Sequence, residues 1–249
     1  MSYPGTGSTG DGYRLAERLG HTVVSPRAAL VPIEASEKWC AELMGLSLKN
    51  VTLTLKNAAG KAVFSEMGEM LFTHFGVSGP LVLSASSYIK EDPGTYRIEI
   101  DLKPALNMQQ LDARLLRDFA ENRNRDFINA LDRLLPRKLI PVAVRLSGVA
   151  PEKKVHSITQ AERRAFAALL KALPVTPKAF APIEQAVITS GGISAREINP
   201  KSMESKLIRG LYPIGEVVDV DAFTGGFNLQ IAFSTAFLAA AAIAAADNG

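Results

Sequence analysis

The residues best suited to chemistry lie at positions 209–249, RGLYPIGEVVDVDAFTGGFNLQIAFSTAFLAAAAIAAADNG. A short apolar run, Leu211 to Ile214, leads into an acidic turn with Gly215, Glu216, Asp219 and Asp221, and Gly225 and Gly226 then open a long alanine-rich stretch. A carboxylate only accepts hydrogen bonds, so Glu216 at the end of a buried strand suits the hydroxyls of a polyol. The glycines let a planar ring come close to the backbone. A helix starting after them offers free N–H groups and the positive end of its dipole, which suits an oxygen that gains negative charge when such a ring is reduced.

Two further places carry candidate chemistry. The apolar run AVIT ends in Ser190, Gly191 and Gly192, and this turn, like the one at Gly215 to Asp219, reads as a strand end on the ligand side of an open α/β sheet. His74, in THFGVSGP, titrates near neutrality. It is either a proton donor or substrate anchor, or a structural histidine before a turn at Gly76 to Pro80 that enters a helix over Leu81 to Tyr88. The remaining histidines, His21 and His156, stand far from it, with no HExxH or CxxC in the chain, so no metal site is expected. The single cysteine, Cys40, excludes an internal disulfide and points to a reducing cytoplasm.

The elements that position these residues change period along the chain. A helix with Tyr13, Leu15, Ala16 and Leu19 inward, capped by Asp11 or Thr9, is followed by strands across Ala28 to Leu102. VTLTLKN alternates, Asn57 to Gly60 turns, KAVFSEMGEMLFTHF resumes and YRIEIDL closes the set. From Met108 the period is helical: Leu111, Leu115, Leu116 and Phe119 share a face, and further helices are expected over Phe127 to Leu135, Leu139 to Leu146 and Ala161 to Leu173. Residues 1–27 and 183–249 thus form one interrupted domain. Residues 28–182 form an insert, a β-barrel over 28–105 and a helical part over 106–182.

At 249 residues and 47% hydrophobic content the chain is globular. Its net charge of +3 hides an imbalance, because Met108 to Pro174 holds thirteen Lys or Arg against seven Asp or Glu. Such a cluster attracts phosphates. Interleaved acids, and aromatics at only 7% of the chain, argue for a solvated face, so nucleic acid is not an expected partner. Leu229 to Ala246 is uncharged, but its alanines suit a buried helix pressed against a sheet, and no membrane span is expected.

Across its length the chain resembles the bacterial flavoproteins of the NAD(P)/FAD-dependent oxidoreductase family, which include aminoacetone-oxidase-type and dehydro-bile-acid-reductase-type members. The blocks that carry the resemblance are SYPGTGSTGDGYRLAERLGHTVV, LSLKNVTLTL, GEMLFTHFGVSGP, TSGGISAREINPKSMESKL and the tail above. The resemblance implies FAD, with NAD(P) as a further cofactor. It also implies a partial Rossmann-like domain interrupted by an insert, and hydride exchange with a small organic substrate. It places Glu216, with Asp219 beside it, at the ribityl or pyrophosphate-side hydroxyls. Gly225, Gly226 and Asn228 fall at the pyrimidine side of the ring, and Gln230 at the same edge. Family members begin with a strand, a Gly-rich turn and a helix that hold the FAD pyrophosphate. The GxGxxG at Gly5, Gly7 and Gly10 lacks the preceding strand that this fingerprint requires. The chain therefore reads as a fragment that binds FAD weakly by itself and is inactive alone. The alternative is a nucleic-acid or protein binding module built on the barrel and the basic helices. Substrate, oxidase against reductase chemistry, and oligomeric state are not legible.

Overall fold

The computed structural model describes residues 2, 5 and 7–247. The expectation that no strand precedes the GTGSTG loop falls partly on Met1, Tyr3, Pro4 and Thr6, which lie outside the described residues. The elements in chain order are α1 (Asp11–Arg18), β1 (Val23–Ala29), β2 (Ile33–Ala35), α2 (Trp39–Glu42), β3 (Ser47–Lys56) and β4 (Ala62–Phe72). There follow β5 (Gly76–Ser78), α3 (Pro80–Ser86), β6 (Arg97–Asp101), α4 (Met108–Glu121) and α5 (Ile140–Ser147). The last are α6 (Gln160–Lys171), β7 (Leu173–Val175), β8 (Pro177–Phe180), β9 (Ile188–Ile193) and α7 (Phe227–Asp247). They divide into an outer unit, Met1–Pro32 with Phe180–Gly249, and an inner unit, Ile33–Ala179. The cuts therefore fall five residues later and three earlier than the 27/28 and 182/183 boundaries read from sequence.

In the outer unit β1 and β9 form an antiparallel ribbon whose register slips between Val24 and Arg27. Pro26 sits in that slip, where its missing N–H costs no ladder bond. The expected open, Rossmann-like sheet is not present among the described residues. Among the described residues this unit has the ribbon, one parallel bridge, Ile193 to Val218, and one antiparallel bridge, Ile198 to Ser205. Its core gathers Ala16, Ile193, Ile198, Met203, Val218 and Ala239. In α1, Tyr13 and Ala16 are buried while Leu15 and Leu19 face out. Neither Thr9 nor Asp11 caps that helix. Gly10 does so in the left-handed region, without a side-chain bond.

The alanine-rich helix departs furthest from expectation. It is long and apolar enough to cross a membrane by length and composition. Instead of lying against a sheet, α7 packs on the Glu216 turn near Ala232 and Thr235 and on the core through Leu238 and Ala239, and leaves Leu229, Phe233 and Phe237 at 64, 69 and 74% exposure. A helix that is apolar all round fits burial on every side, and no described element covers this face.

The inner unit is a seven-stranded sheet, order β7-β6-β3-β4-β5-β2-β8, with the helices α4, α5 and α6. Leu48, Val51, Leu53 and Leu55 are buried on β3. The register shift between Leu48 and Val51, with Asn50 at φ +53°, lets residues three apart both point inward. The sheet is an open order and not a closed barrel. Its edge strands β7 and β8 come from residues expected to be helical, because Pro174 and Pro177 end the helical period and suit edge positions. On α4, Leu111, Leu115 and Phe119 are buried at a spacing of four, and Leu116 faces out. The expected helix over Phe127 to Leu135 is only a short 3-10 turn, Phe127–Ala130. Its Phe127 ring fills the space between Phe119 and Phe166, at centroid distances of 6.1 and 5.0 Å.

Charged pairs tie these helices together. Arg163 grips Asp112 through Nε and Nη2 at 2.7 and 3.2 Å, and Lys153 Nζ donates to both oxygens of Glu162 at 2.7 and 2.9 Å. The Lys153 bond, then the Thr159 N–H, pull the Glu162 pKa from 4.5 to about 2, and the Arg163 bonds hold Asp112 below 3.8. Depressed carboxylate pKa values stabilise the fold above the unfolded values and stop doing so as pH falls through the folded ones. The inner unit should therefore lose stability progressively from about pH 4.5 toward pH 2. Melting curves of the wild type and Glu162→Gln across that window check this: the variant should show a shallower acid slope, and equal slopes would contradict it.

Candidate functional site

Within the outer unit, Gly215, Glu216, Gly225, Gly226 and Asn228 line one hollow of about 430 Å³. This lies within the range of about 300–1,000 Å³ usual for small-molecule pockets. Leu30, Val187, Ile188, Val220, Leu229, Ile231 and Ala232 give it apolar walls, and Ser2, Thr189, Asp221 and Thr224 add polar groups. Such a ratio of apolar wall to a few convergent polar atoms suits a flat organic ligand.

Glu216 is built into this wall from two directions. Its Oε1 accepts from Thr189 N at 2.9 Å and from Ser2 Oγ at 2.8 Å. Among the described residues its Oε2 accepts nothing, and the side chain remains exposed. Tyr13 Oη donates to the Glu216 carbonyl at 3.3 Å, and burial, then the Glu216 charge, pushes the phenol pKa up. Gly225 and Gly226, at φ +107° and +90°, turn the chain into α7. A Cβ added at Gly226 would meet no atom within 4 Å, so the space beside it is open. The first-turn N–H groups of α7 have no intrahelical acceptor.

Four sequence-selected residues do not line the hollow. Gly191 and Gly192 serve backbone packing: a Cβ at Gly191 would lie 2.6 Å from the Ser25 carbonyl oxygen, and one at Gly192 2.5 Å from that of Val217. They are needed where β9 passes between β1 and the Glu216 turn. Asp219 donates its N–H to Ile193 O at 2.9 Å and is absent from the lining. Gln230 Nε2 donates to Ser234 Oγ along the helix at 3.1 Å. Asn228 does line the hollow, but its amide clasps the turn before it, accepting from Ala222 N and donating to Ala222 O, both at 2.9 Å. Sequence reasoning left out Asp221, Thr189, Ser2 and Thr224. Of these only Asp221 carried a signal, as the fourth member of the acidic turn. It accepts from Ser190 Oγ at 3.1 Å.

Gly7 to Gly10 line a second, polar hollow of about 530 Å³ that shares Ser2 and Glu216 with the first. The outer unit also holds a chain of polar groups: His21 Nδ1 is 2.9 Å from Glu197 Oε2, and His21 Nε2 is 2.9 Å from Ser205 Oγ. The order serine, histidine, acid is that of a hydrolytic triad, yet the lone pairs of Ser205 Oγ are taken by the N–H groups of Leu207 and Ile208 at 3.0 and 2.9 Å. With its lone pairs bonded, the hydroxyl proton is directed to Nε2, which leaves Nδ1 to donate to Glu197. The hydroxyl is therefore a structural tie and no nucleophile. Replacing His21 by Phe should destabilise the outer unit by about 1–2 kcal/mol, since the buried Ser205 hydroxyl loses its acceptor and the partly exposed Glu197 loses one of its donors. A chemical-denaturation midpoint unchanged from wild type would contradict this.

His74 lies in the inner unit, exposed, with its ring edge-on to Phe75 at 4.9 Å. It lines a hollow there with Glu37, Lys38 and Lys178. The basic helices are largely neutralised: Arg125 pairs with Asp132, Lys154 with Asp126, and Lys171 with Asp101.

A ring carrying a polyol suits the outer hollow on two counts, the open cradle at Gly226 and the unspent oxygen of Glu216. If a flavin were held there, Glu216 would take its hydroxyls and the α7 N-terminus its electron-rich edge.

The chain is similar to several known proteins. Residues 27–188 match the family described as HI0933-like protein barrel and H2TH domain. The chain is 33% identical to ribosomal RNA dihydrouridine synthase of Haemophilus influenzae, over 98% of this chain and 58% of the relative. It is also 33% identical to the protein of that name from Escherichia coli, over 100% and 60%. To 3-dehydro-bile acid delta(4,6)-reductase of Clostridium scindens it is 29% identical, over 96% and 58%. The chain thus spans about three fifths of the length of the curated relatives it matches.

Proposed function

The chain belongs to the HI0933-like family, and from that premise we propose that it supplies one wall of a flavin-dependent reductase that saturates a carbon–carbon double bond conjugated to a carbonyl. Both relatives' names involve that change. Dihydrouridine is uridine with its 5,6 bond saturated beside the 4-carbonyl, and a 3-dehydro-bile acid has an oxo group conjugated with its 4,6 bonds. The two relatives at 33% identity favour a uridine in RNA as the substrate, in place of the small organic molecule that the sequence suggested. The observation that carries the reading is the single hollow uniting Glu216 with Gly225 and Gly226.

Bound FAD, reduced by a nicotinamide, would supply the hydride that such a reduction requires, and solvent the proton that completes the saturated bond. The residues of this chain hold and polarise. Glu216 fixes polyol hydroxyls through Oε2 while Thr189 and Ser2 hold Oε1 in place. The N–H groups at the start of α7 stabilise negative charge that develops on the ring's oxygen edge. Leu30, Val187 and Ile188 keep water from the ring face.

A further segment carrying the pyrophosphate site, on the same or another polypeptide, would complete the pocket and cover Phe233 and Phe237. The relatives' additional two fifths of length supports this. The test is incubation of this chain together with the segment that carries the pyrophosphate site, flavin-loaded, with NADPH or NADH and uridine-containing ribosomal RNA, followed by nucleoside mass spectrometry. Uridine gaining two hydrogens is the expected product. Turnover of an enone steroid with untouched RNA would keep the reaction class and replace the substrate, and no reduction of either would end the proposal.

A further inference from the structure

The basic residues of the helical segment are mostly paired with acids, but one concave patch of the inner unit is not. A hollow of about 520 Å³ is lined by Lys38, His74, Phe75 and Lys178, and by Glu37 as its one acid. Among the described residues no ion pair involves Lys38, Lys178 or His74. Glu37 faces its own backbone tie, both carboxylate oxygens accepting from Thr176 N at 3.1 and 2.9 Å. Two ammonium groups outnumber the single Glu37 carboxylate, and an excess of positive charge in a concavity concentrates potential more than the same charge on a convex face. Beside them the His74 and Phe75 rings stand edge to face, 84° apart, a surface on which a base can stack. Cations with an adjacent aromatic platform are what single-stranded nucleic acid requires, and this interleaving is absent from the helical cluster.

We propose that the Lys38–His74–Lys178 hollow is a phosphate site for the RNA backbone, with an unpaired base against Phe75 and His74. This rests on the RNA reading above and adds where the strand is gripped. Lys38 and Lys178 neutralise phosphate oxygens. The rings take a base without reading its identity, so this platform gives affinity and register and not sequence choice.

The test uses the full chain and a labelled, uridine-rich single-stranded RNA, with binding followed by anisotropy over a salt series. The double variant Lys38→Gln, Lys178→Gln should bind about tenfold more weakly at 0.1 M salt and flatten the log–log salt slope by about 0.7 for each phosphate no longer neutralised. A control that removes the same charge elsewhere, Arg117→Gln with Arg133→Gln, should bind within about twofold of wild type. Equal losses in the two double variants, or none in the first, would overturn the site and leave the reductase reading standing. No RNA binding by the wild type, together with unreduced uridine in the product assay, would remove both. Inorganic phosphate that shifts the His74 imidazole resonances while RNA does not would make this a free-anion site and overturn the RNA assignment.

Discussion

Gly192→Ala should cost the outer unit about 3–5 kcal/mol and with it the shape of the Glu216 turn. Gly192 sits at φ +130°, and an added Cβ would lie 2.5 Å from the Val217 carbonyl oxygen and 3.1 Å from its carbon. Backbone atoms cannot swing away as a side-chain tip can. Relief requires separating β9 from residues 217 and 218, which breaks the Ile193 to Val218 bridge and pulls the Thr189 N–H from Glu216. Gly60→Ala is the comparison: it also has positive φ but meets no atom within 4 Å, so its cost should stay near 1 kcal/mol. Similar melting temperatures for the two variants would show that the close approach at Gly192 is not what holds the turn.

The second large effect is expected at Glu216, on ligand binding more than on stability. Glu216→Ala should weaken riboflavin, which carries both ring and polyol, by about tenfold or more, the worth of a charge-assisted hydrogen bond. It should leave lumiflavin, the ring without the polyol, nearly unchanged. Glu216→Gln keeps an acceptor for Thr189 N–H and Ser2 Oγ, so its stability should follow wild type while riboflavin binding still falls. Equal loss of both ligands in Glu216→Ala would point to collapse of the hollow instead of loss of a polyol bond.

How far this site could be read from sequence depends on what each residue bonds to. Gly215, Glu216, Gly225, Gly226 and Asn228 stand within fourteen positions, and a turn followed by a helix start confines them to one neighbourhood, so their shared hollow was legible. Thr189 and Ser2 contribute through a backbone N–H and a hydroxyl from distant parts of the chain, which no local pattern encodes. Gly191 and Gly192 were legible as a glycine turn at a strand end, where a close approach is possible. That the approaching group was protein backbone and not a ligand was not. The strand period of β3 and β6 was plain, whereas three-residue β7 and four-residue β8 are too short to show a period beside a helix. The exposed face of α7 was not legible, because alanine content signals close packing without naming the partner. Two capping boxes, Asn107 with Gln110 and Thr159 with Glu162, fix the starts of α4 and α6, and both follow a residue spacing visible in the sequence.

Whether the cradle between the Glu216 turn and the start of α7 receives a flavin ring decides the functional reading. Lumiflavin added to the isotopically labelled chain, followed by backbone amide NMR, tests this without any need for a pyrophosphate site. The expected result is saturable shifts at Gly215, Glu216 and Gly225 to Leu229. Shifts confined to other surfaces, or none at millimolar ligand, would contradict the assignment.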